Sequence, residues 1–196
     1  MESFLLTFPA VALAELGDKT QLVVIFLAAR FRKPWAVLAG LVVGAAANAG
    51  VAVAGGAVLD RLVPPGFLEW LVAAGFLAIG AWMLFGHEQD DAEPPPATSH
   101  GAFLTTLWLF FVMEMGDKTQ LATVALAAGL PSMVWVFAGS ALGLVAANVP
   151  ALWLGHRFAS RLPHALLHRL SAGLFILIGI ALMIHQLAQS TGAPST

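Results

Sequence analysis

Apolar residues fill six long blocks along the chain, separated by short polar breaks. The blocks run Phe4–Ala29, Trp35–Leu59, Phe67–Phe85, Phe103–Ala128, Ser132–Leu154 and Leu166–Leu187. Each is close to the roughly 20 mostly apolar residues that one membrane-crossing helix needs. Arg30–Pro34, Asp60–Gly66 and Gly129–Pro131 form three of the breaks. The longest, residues 87–101, holds Glu88, Asp90, Asp91 and Glu93 and then Pro94, Pro95 and Pro96. Like charges and prolines in series disfavour packing and predict an extended tether. The pattern predicts an all-α polytopic membrane protein with six transmembrane helices.

Composition supports that pattern. Of 196 residues, 59% are hydrophobic and 10% charged, against about 45–50% and about 25% in soluble domains. A soluble globule, a disordered chain and a nucleic-acid binder are excluded. The net charge of −2 identifies no partner; the placement of the few charges does more. Cysteine is absent, which removes disulfides, thiolate metal sites, iron–sulfur clusters and cysteine nucleophiles. No cleavable signal is expected, because Glu2 stands where a basic region would and the apolar stretch continues into a full span.

The chain also repeats itself. Glu15-Leu-Gly-Asp-Lys-Thr-Gln-Leu22 returns 99 positions later as Glu114-Met-Gly-Asp-Lys-Thr-Gln-Leu121. Gly40 and Gly44 answer to Gly139 and Gly143, Asn48 to Asn148, Arg61 and Pro64 to Arg161 and Pro163, and Gly80 to Gly179. A polar octet recurring with one change inside an apolar block indicates duplication of a three-span unit. The expected organisation is a first repeat over 1–86, an acidic, proline-rich cytoplasmic linker over 87–101, and a second repeat over 102–196. Three spans is an odd number, so a chain threading back and forth inserts the second unit upside down, the inverted-topology plan of many secondary transporters.

Loop charge orients the thread. With the N-terminus outside, the inner loops hold Arg30, Arg32, Lys33, Arg157, Arg161 and Arg169, and the outer loops only Arg61. Lys and Arg favour the cytoplasmic side. Both termini are therefore expected outside the cell's inner (plasma) membrane.

The chemistry lies in the first and fourth blocks. Glu15, Asp18 and Lys19, and their counterparts Glu114, Asp117 and Lys118, fall near mid-span. A central charge costs at least about 2.5–3.5 kcal/mol on insertion scales, so it marks a cavity, a partner or an ion. On a continuous helix, positions i, i+3 and i+4 share a face, with Gln21 and Gln120 within reach. Gly17 and Gly116 permit close helix approach or a local unwinding. Joining the repeats would gather four carboxylates, with Asn48 and Asn148 following the glycine ridges. These donors are all oxygen and suit hard cations such as Mg²⁺, Ca²⁺ and Mn²⁺. Four carboxylates and two lysines sum to −2, which one divalent ion or two protons would neutralise. Competition for the same acids is the minimal physics of a cation/proton antiporter. Each lysine is expected to pair with an acid and to hold the empty site neutral.

The duplicated motif resembles the signature of the GDT family of membrane proteins, Glu-φ-Gly-Asp-[Lys/Arg]-[Thr/Ser] present twice. Its members include Golgi and chloroplast proteins and bacterial manganese exporters. The resemblance implies Ca²⁺ or Mn²⁺ exchanged for H⁺ at a site made by Glu15, Asp18, Lys19 and Thr20 with Glu114, Asp117, Lys118 and Thr119. The residues themselves add Gln21, Gln120, Asn48 and Asn148. The expected metal ligands are thus Glu15, Asp18, Gln21, Asn48, Glu114, Asp117, Gln120 and Asn148, with Lys19, Thr20, Lys118 and Thr119 in motif and proton-coupling roles.

Taken together, the chain reads as a secondary active transporter, not an enzyme. It would export a divalent cation, Mn²⁺ before Ca²⁺, against proton influx by alternating access. The expected partners are the ion, H⁺ and the lipid bilayer, with no nucleic acid and no resident cofactor; oligomeric state leaves no mark in the sequence. Rival readings are an exporter of amino acids or small organic solutes, a cation channel and an intramembrane hydrolase built on paired carboxylates. Plainer roles stand beside the sharp ones. Asp18 with Lys118 could be a structural ion pair, Asn48 and Asn148 helix-packing amides, and Thr20 and Thr119 bonded to their own helices. His156, His164 and His168 lie among arginines, which favours a solvated headgroup-facing loop over a metal site. His185 is expected at the interface, and tryptophans and phenylalanines mostly toward lipid.

Overall fold

Both copies of the motif interrupt the helices that carry them. In the computed structural model, which describes residues 1–85, 101–154 and 164–192, every regular element is an α-helix. The first block is two helices, α1 (Glu2–Glu15) and α2 (Lys19–Phe31), and the fourth is again two, α5 (Gly101–Glu114) and α6 (Lys118–Gly129). The other blocks are single helices: α3 (Pro34–Leu62), α4 (Pro65–Phe85), α7 (Met133–Leu154) and α8 (His164–Gly192). The breaks have one local cause. Gly17 and Gly116 sit at φ +83° and +79°, a region open to glycine and strained for other residues. Asp18 and Asp117 then run extended, at ψ 163° and 167°, as N-caps of the next helix. The expectation that Glu15, Asp18 and Lys19 share one helical face is therefore corrected: Glu15 ends one helix and Lys19 begins another.

The helices pack reciprocally. Helix α1 lies on α7 and α5 on α3; α2 meets α7 and α6 meets α3; α4 lies on α8. The glycine ridges make these approaches possible. A Cβ on Gly40 would stand 2.5 Å from the Phe103 carbonyl and 2.9 Å from Thr106 Cβ, and one on Gly139 would stand 2.9 Å from Thr7 Cβ and 3.1 Å from the Phe8 nitrogen. Backbone cannot retreat as a flexible side chain can. Gly40→Ala is expected to destabilise by about 1–3 kcal/mol, as overpacking does. Gly75→Ala, where a Cβ meets nothing within 4 Å, should be neutral or stabilising by helix propensity. Thermal unfolding in detergent separates the two.

Two apolar clusters hold the bundle. One joins α4, α6 and α8 around Phe76 and Phe175, whose rings lie 5.5 Å apart; the other joins α1, α2, α3, α5 and α7 around Val11, Leu41, Phe110 and Leu144. The outside is as apolar as the inside. All six tryptophans are exposed, with Leu5, Val134, Leu177 and Ile184 among many other large apolar side chains. Water-soluble monomers rarely show such a surface; lipid solvates it. Helix α3 and residues Met133–Trp153 of α7 are long and apolar enough to cross a membrane, with mean hydropathies of 2.0 and 1.6. The outward placement expected for aromatics holds for tryptophan but not throughout for phenylalanine: Phe76, Phe110 and Phe175 are core. His185 is exposed, and so is Arg169. Residues 87–100 of the linker, and His156, Arg157, Arg161 and the side chains of His164 and His168, lie outside the described residues.

Candidate metal centre

Each helix break places a glutamate at the last turn of one helix and an aspartate at the first of the next. Asp18 and Asp117 occupy N-cap positions, yet neither makes the usual side-chain bond to its own helix. Their carboxylates are turned to other uses. Glu15 and Glu114 are both 0% exposed. Thr20 and Thr119 reach back across their breaks, each hydroxyl donating to the glutamate five residues earlier, the Thr119 bond at 3.0 Å. This corrects the expectation that these hydroxyls serve their own helices. One oxygen of each glutamate is so held. The other, Glu15 Oε2 or Glu114 Oε1, is buried without a hydrogen bond.

The two halves meet at these carboxylates. Oxygens of Glu15, Glu114 and Asp117 all lie within 4.8 Å of one another. Oxygen ligands about 2.3–2.6 Å from a Ca²⁺ ion stand at most about 5 Å apart, so the spacing suits a single cation at the centre. Asp18, the fourth acid expected there, has its Oδ1 3.4 Å from the Lys118 ammonium of the other half, with both side chains buried. The side chain of Lys19 lies outside the described residues.

The amides divide. Gln21 Oε1 accepts the Gly17 N–H at 3.3 Å, and Gln120 Oε1 accepts that of Gly116 at 2.6 Å. Each glutamine thus binds the turn that breaks its helix, through the oxygen that the sequence assigns to a cation. Asn148 donates to the Leu144 carbonyl at 2.9 Å, leaving its Oδ1 buried without a hydrogen bond; Asn48 is buried with an unbonded Nδ2. Polar contacts that the sequence reading missed are the Thr123–Ser140 hydroxyl pair at 2.9 Å and the Ala147 carbonyl, which receives Gln21 Nε2. A signal existed for the pair: Val24 and Leu41 stand at those positions of the first half.

A family model described as divalent cation/proton antiporter GDT1 matches the chain twice, over residues 3–91 and 102–190. A proposed manganese exporter of Vibrio cholerae is 36% identical over 182 residues, covering 92% of this chain and 90% of its own. A GDT1-like protein of Synechocystis sp. is 31% identical over 191 residues, covering 87% and 91%. No solved structure matches. With both halves matched and an apolar exterior around a buried acidic centre, this integral membrane protein belongs to the GDT1 family of divalent cation/proton antiporters.

Proposed function

We propose that this protein exports a divalent cation, Mn²⁺ before Ca²⁺, from the cytoplasm in exchange for protons. The observation that carries the reading is the convergence of Glu15, Glu114 and Asp117 from the two halves of the chain. The two threonine-held glutamates and Asp117 present oxygens toward one point. Asp18 on Lys118 lies beside them, and Asn48 and Asn148 are further amide donors in the reading. The name of the Vibrio cholerae relative supports manganese as the substrate. One cation, or two protons, balances the charge of four acids and two lysines. Exchange follows from competition for the same oxygens, with no separate proton path required.

In this reading the chain crosses the plasma membrane six times as two inverted three-crossing repeats, with both termini outside and the linker in the cytoplasm. Helices α1 and α2 together make the first crossing, and α5 and α6 the fourth. Phe76 packs on Phe175, its own counterpart 99 positions on, and Glu15 lies beside Glu114. A segment that meets its equivalent is what a two-fold axis between repeats requires. Discontinuous helices meeting at such an axis are where secondary transporters hold their ions, and rocking one repeat against the other alternates access.

Flux through purified protein in proteoliposomes tests this. Mn²⁺ movement should follow an imposed pH gradient and reverse with it, with Ca²⁺ slower and Mg²⁺ slower still. Cation flux indifferent to the gradient would mean a channel, and proton-coupled movement of an organic solute without cation flux would mean a different transporter.

A further inference from the structure

Two helices end beside one cavity, and an acid stands between their ends. The cavity, of about 360 Å³, is lined by Asp60 of α3, Leu68 of α4, residues 127–131 and Met133 of α7. The register of α3 puts Asp60 there. Gly56 lies one turn earlier on the same face. It packs so closely on α6 that a Cβ would stand 2.5 Å from Ala127 Cβ and 3.0 Å from the Ala128 nitrogen.

The chain leaves this place short of positive charge. A helix carries about half a negative charge at its C-terminus, where cations stabilise and acids do not. Helix α3 ends at Leu62 and α6 at Gly129, so Asp60 adds a carboxylate beside two negative ends. The carbonyls are short of donors as well. Pro131 has no N–H for the Ala127 carbonyl four residues earlier, and α6 has no basic residue in its last turn. Arg61 is exposed, and among the described residues Asp60 forms no ion pair.

The first half treats the equivalent place in the opposite way. Gly129, Pro131 and Ser132 correspond, 99 positions earlier, to Arg30, Arg32 and Lys33. Arg30 lies in the last turn of α2. There the negative helix end has cations built in.

Helix α6 joins the cavity to the centre. It begins at Lys118, the partner of Asp18, and its last turn is cavity wall. At 1.5 Å per residue its ends are about 17 Å apart. That carries it from mid-membrane to one face of a hydrocarbon core about 30 Å thick. Thr119, Thr123 and Ala127 follow one another along it at single-turn steps. Thr119 donates to Glu114, Thr123 meets Ser140, and Ala127 lines the cavity. The first half has Val24 in the middle of the equivalent line, so the polar line exists on one side only.

Resting on the antiporter reading and its orientation, we propose that this cavity is a second divalent-cation site at the outer mouth of the path. Asp60 and the carbonyls at the end of α6 hold the ion between the central acids and the external solution. Carboxylate and carbonyl oxygens suit the same hard cations as the centre. One carboxylate in an open cavity makes a weak site, about 10⁻⁴–10⁻³ M as in extracellular calcium modules, from which an exported ion can leave.

The chain has no cysteine, so a single introduced one can carry a probe. Val134→Cys, at an exposed position next to Met133, takes a nitroxide whose spectrum broadens when Mn²⁺ binds nearby. In full-length protein that also carries Glu114→Gln to weaken the central site, half-broadening should need about 1 mM Mn²⁺ or less. Asp60→Asn should raise that concentration at least about tenfold. Pro131→Ala, which returns an N–H to the Ala127 carbonyl and alters no charge, should raise it about fivefold. Without metal, Asp60→Asn should leave the unfolding temperature unchanged or raised, because an acid beside two helix C-termini is removed. In membrane vesicles, Asp60→Asn alone should raise the KM for Mn²⁺ about tenfold when the ion is offered to the outer face and leave it unchanged from the cytoplasmic face. Broadening indifferent to Asp60→Asn, a lowered unfolding temperature, or a KM altered equally from both faces would overturn the proposal. The nitroxide needs no transport, so a wild type that moves no cation defeats the antiporter reading while metal binding at the cavity is still judged on the probe.

Discussion

Glu114→Gln is expected to lower cation–proton exchange by at least about 100-fold and to leave the unfolding temperature unchanged or raised. Glu114 is fully buried, and only one of its oxygens is held, by Thr119. Glutamine has the same shape. Its carbonyl can keep the threonine bond, and its amide can donate toward Glu15 and Asp117, whose carboxylates lie within 4.8 Å. The fold loses an expensive buried charge. In the proposed function the cation loses one of three converging carboxylates. Truncating one partner of a buried charge pair at a binding site costs about 2–5 kcal/mol of affinity, and each 1.4 kcal/mol is tenfold. Glu15→Gln should behave alike, since Glu15 holds the equivalent place with Thr20. Flux and calorimetry on the same preparation decide the matter. Transport lost together with the fold would make the glutamate structural, and transport retained would remove it from the ion's path.

Lys118→Met should do the opposite, harming the fold first. Its ammonium stands 3.4 Å from Asp18 Oδ1, and Asp18 Oδ2 is buried without a hydrogen bond. Removing the lysine leaves a carboxylate in an apolar interior beside other acids, at a cost of about 3–5 kcal/mol. Removing both partners is far milder, because no charge is stranded. The double variant Asp18→Asn/Lys118→Met should therefore recover most of the stability lost in the single one, as read by denaturation midpoints. Additive losses would show that the two side chains do not stabilise one another. The pair also bears on mechanism. In the proposed mechanism, an aspartate held by a lysine of the other half would link the two halves when no cation occupies the centre.

Periodicity and repetition carried much of this into view before any coordinates. Apolar runs near the length of a bilayer crossing can satisfy their backbones in lipid only as helices or closed barrels, and lengths near 20 residues select helices. The doubled octet marked the acids that meet. The ridges of Gly40 and Gly139 were legible because a missing side chain is visible in a sequence, and both prove to be backbone contacts. Asp18 with Lys118 was legible only as one pairing among several.

Other features depended on three-dimensional neighbours. Helical spacing put Glu15, Asp18 and Lys19 on one face; the positive φ of Gly17 instead ends the helix between them, and only then can Thr20 fold back onto Glu15. Glycine inside an apolar run is compatible with a close approach or with a break, and the choice rests on whether the freed amide finds an acceptor, as Gly17 does in Gln21. Phenylalanines read alike along the chain, yet Phe76 and Phe175 are buried because α4 meets α8, while Phe67 and Phe85 face outward. The sequence by itself determined the helical class, the duplication and the identity of the acids, since these follow from local period, composition and repetition. Only the tertiary structure decided that three acids share a centre while the fourth sits on Lys118, and that one glutamine reaches the opposite half while its twin does not. Those outcomes arise where segments about 100 residues apart in the chain pack together, and near-identical motifs meet different surfaces there.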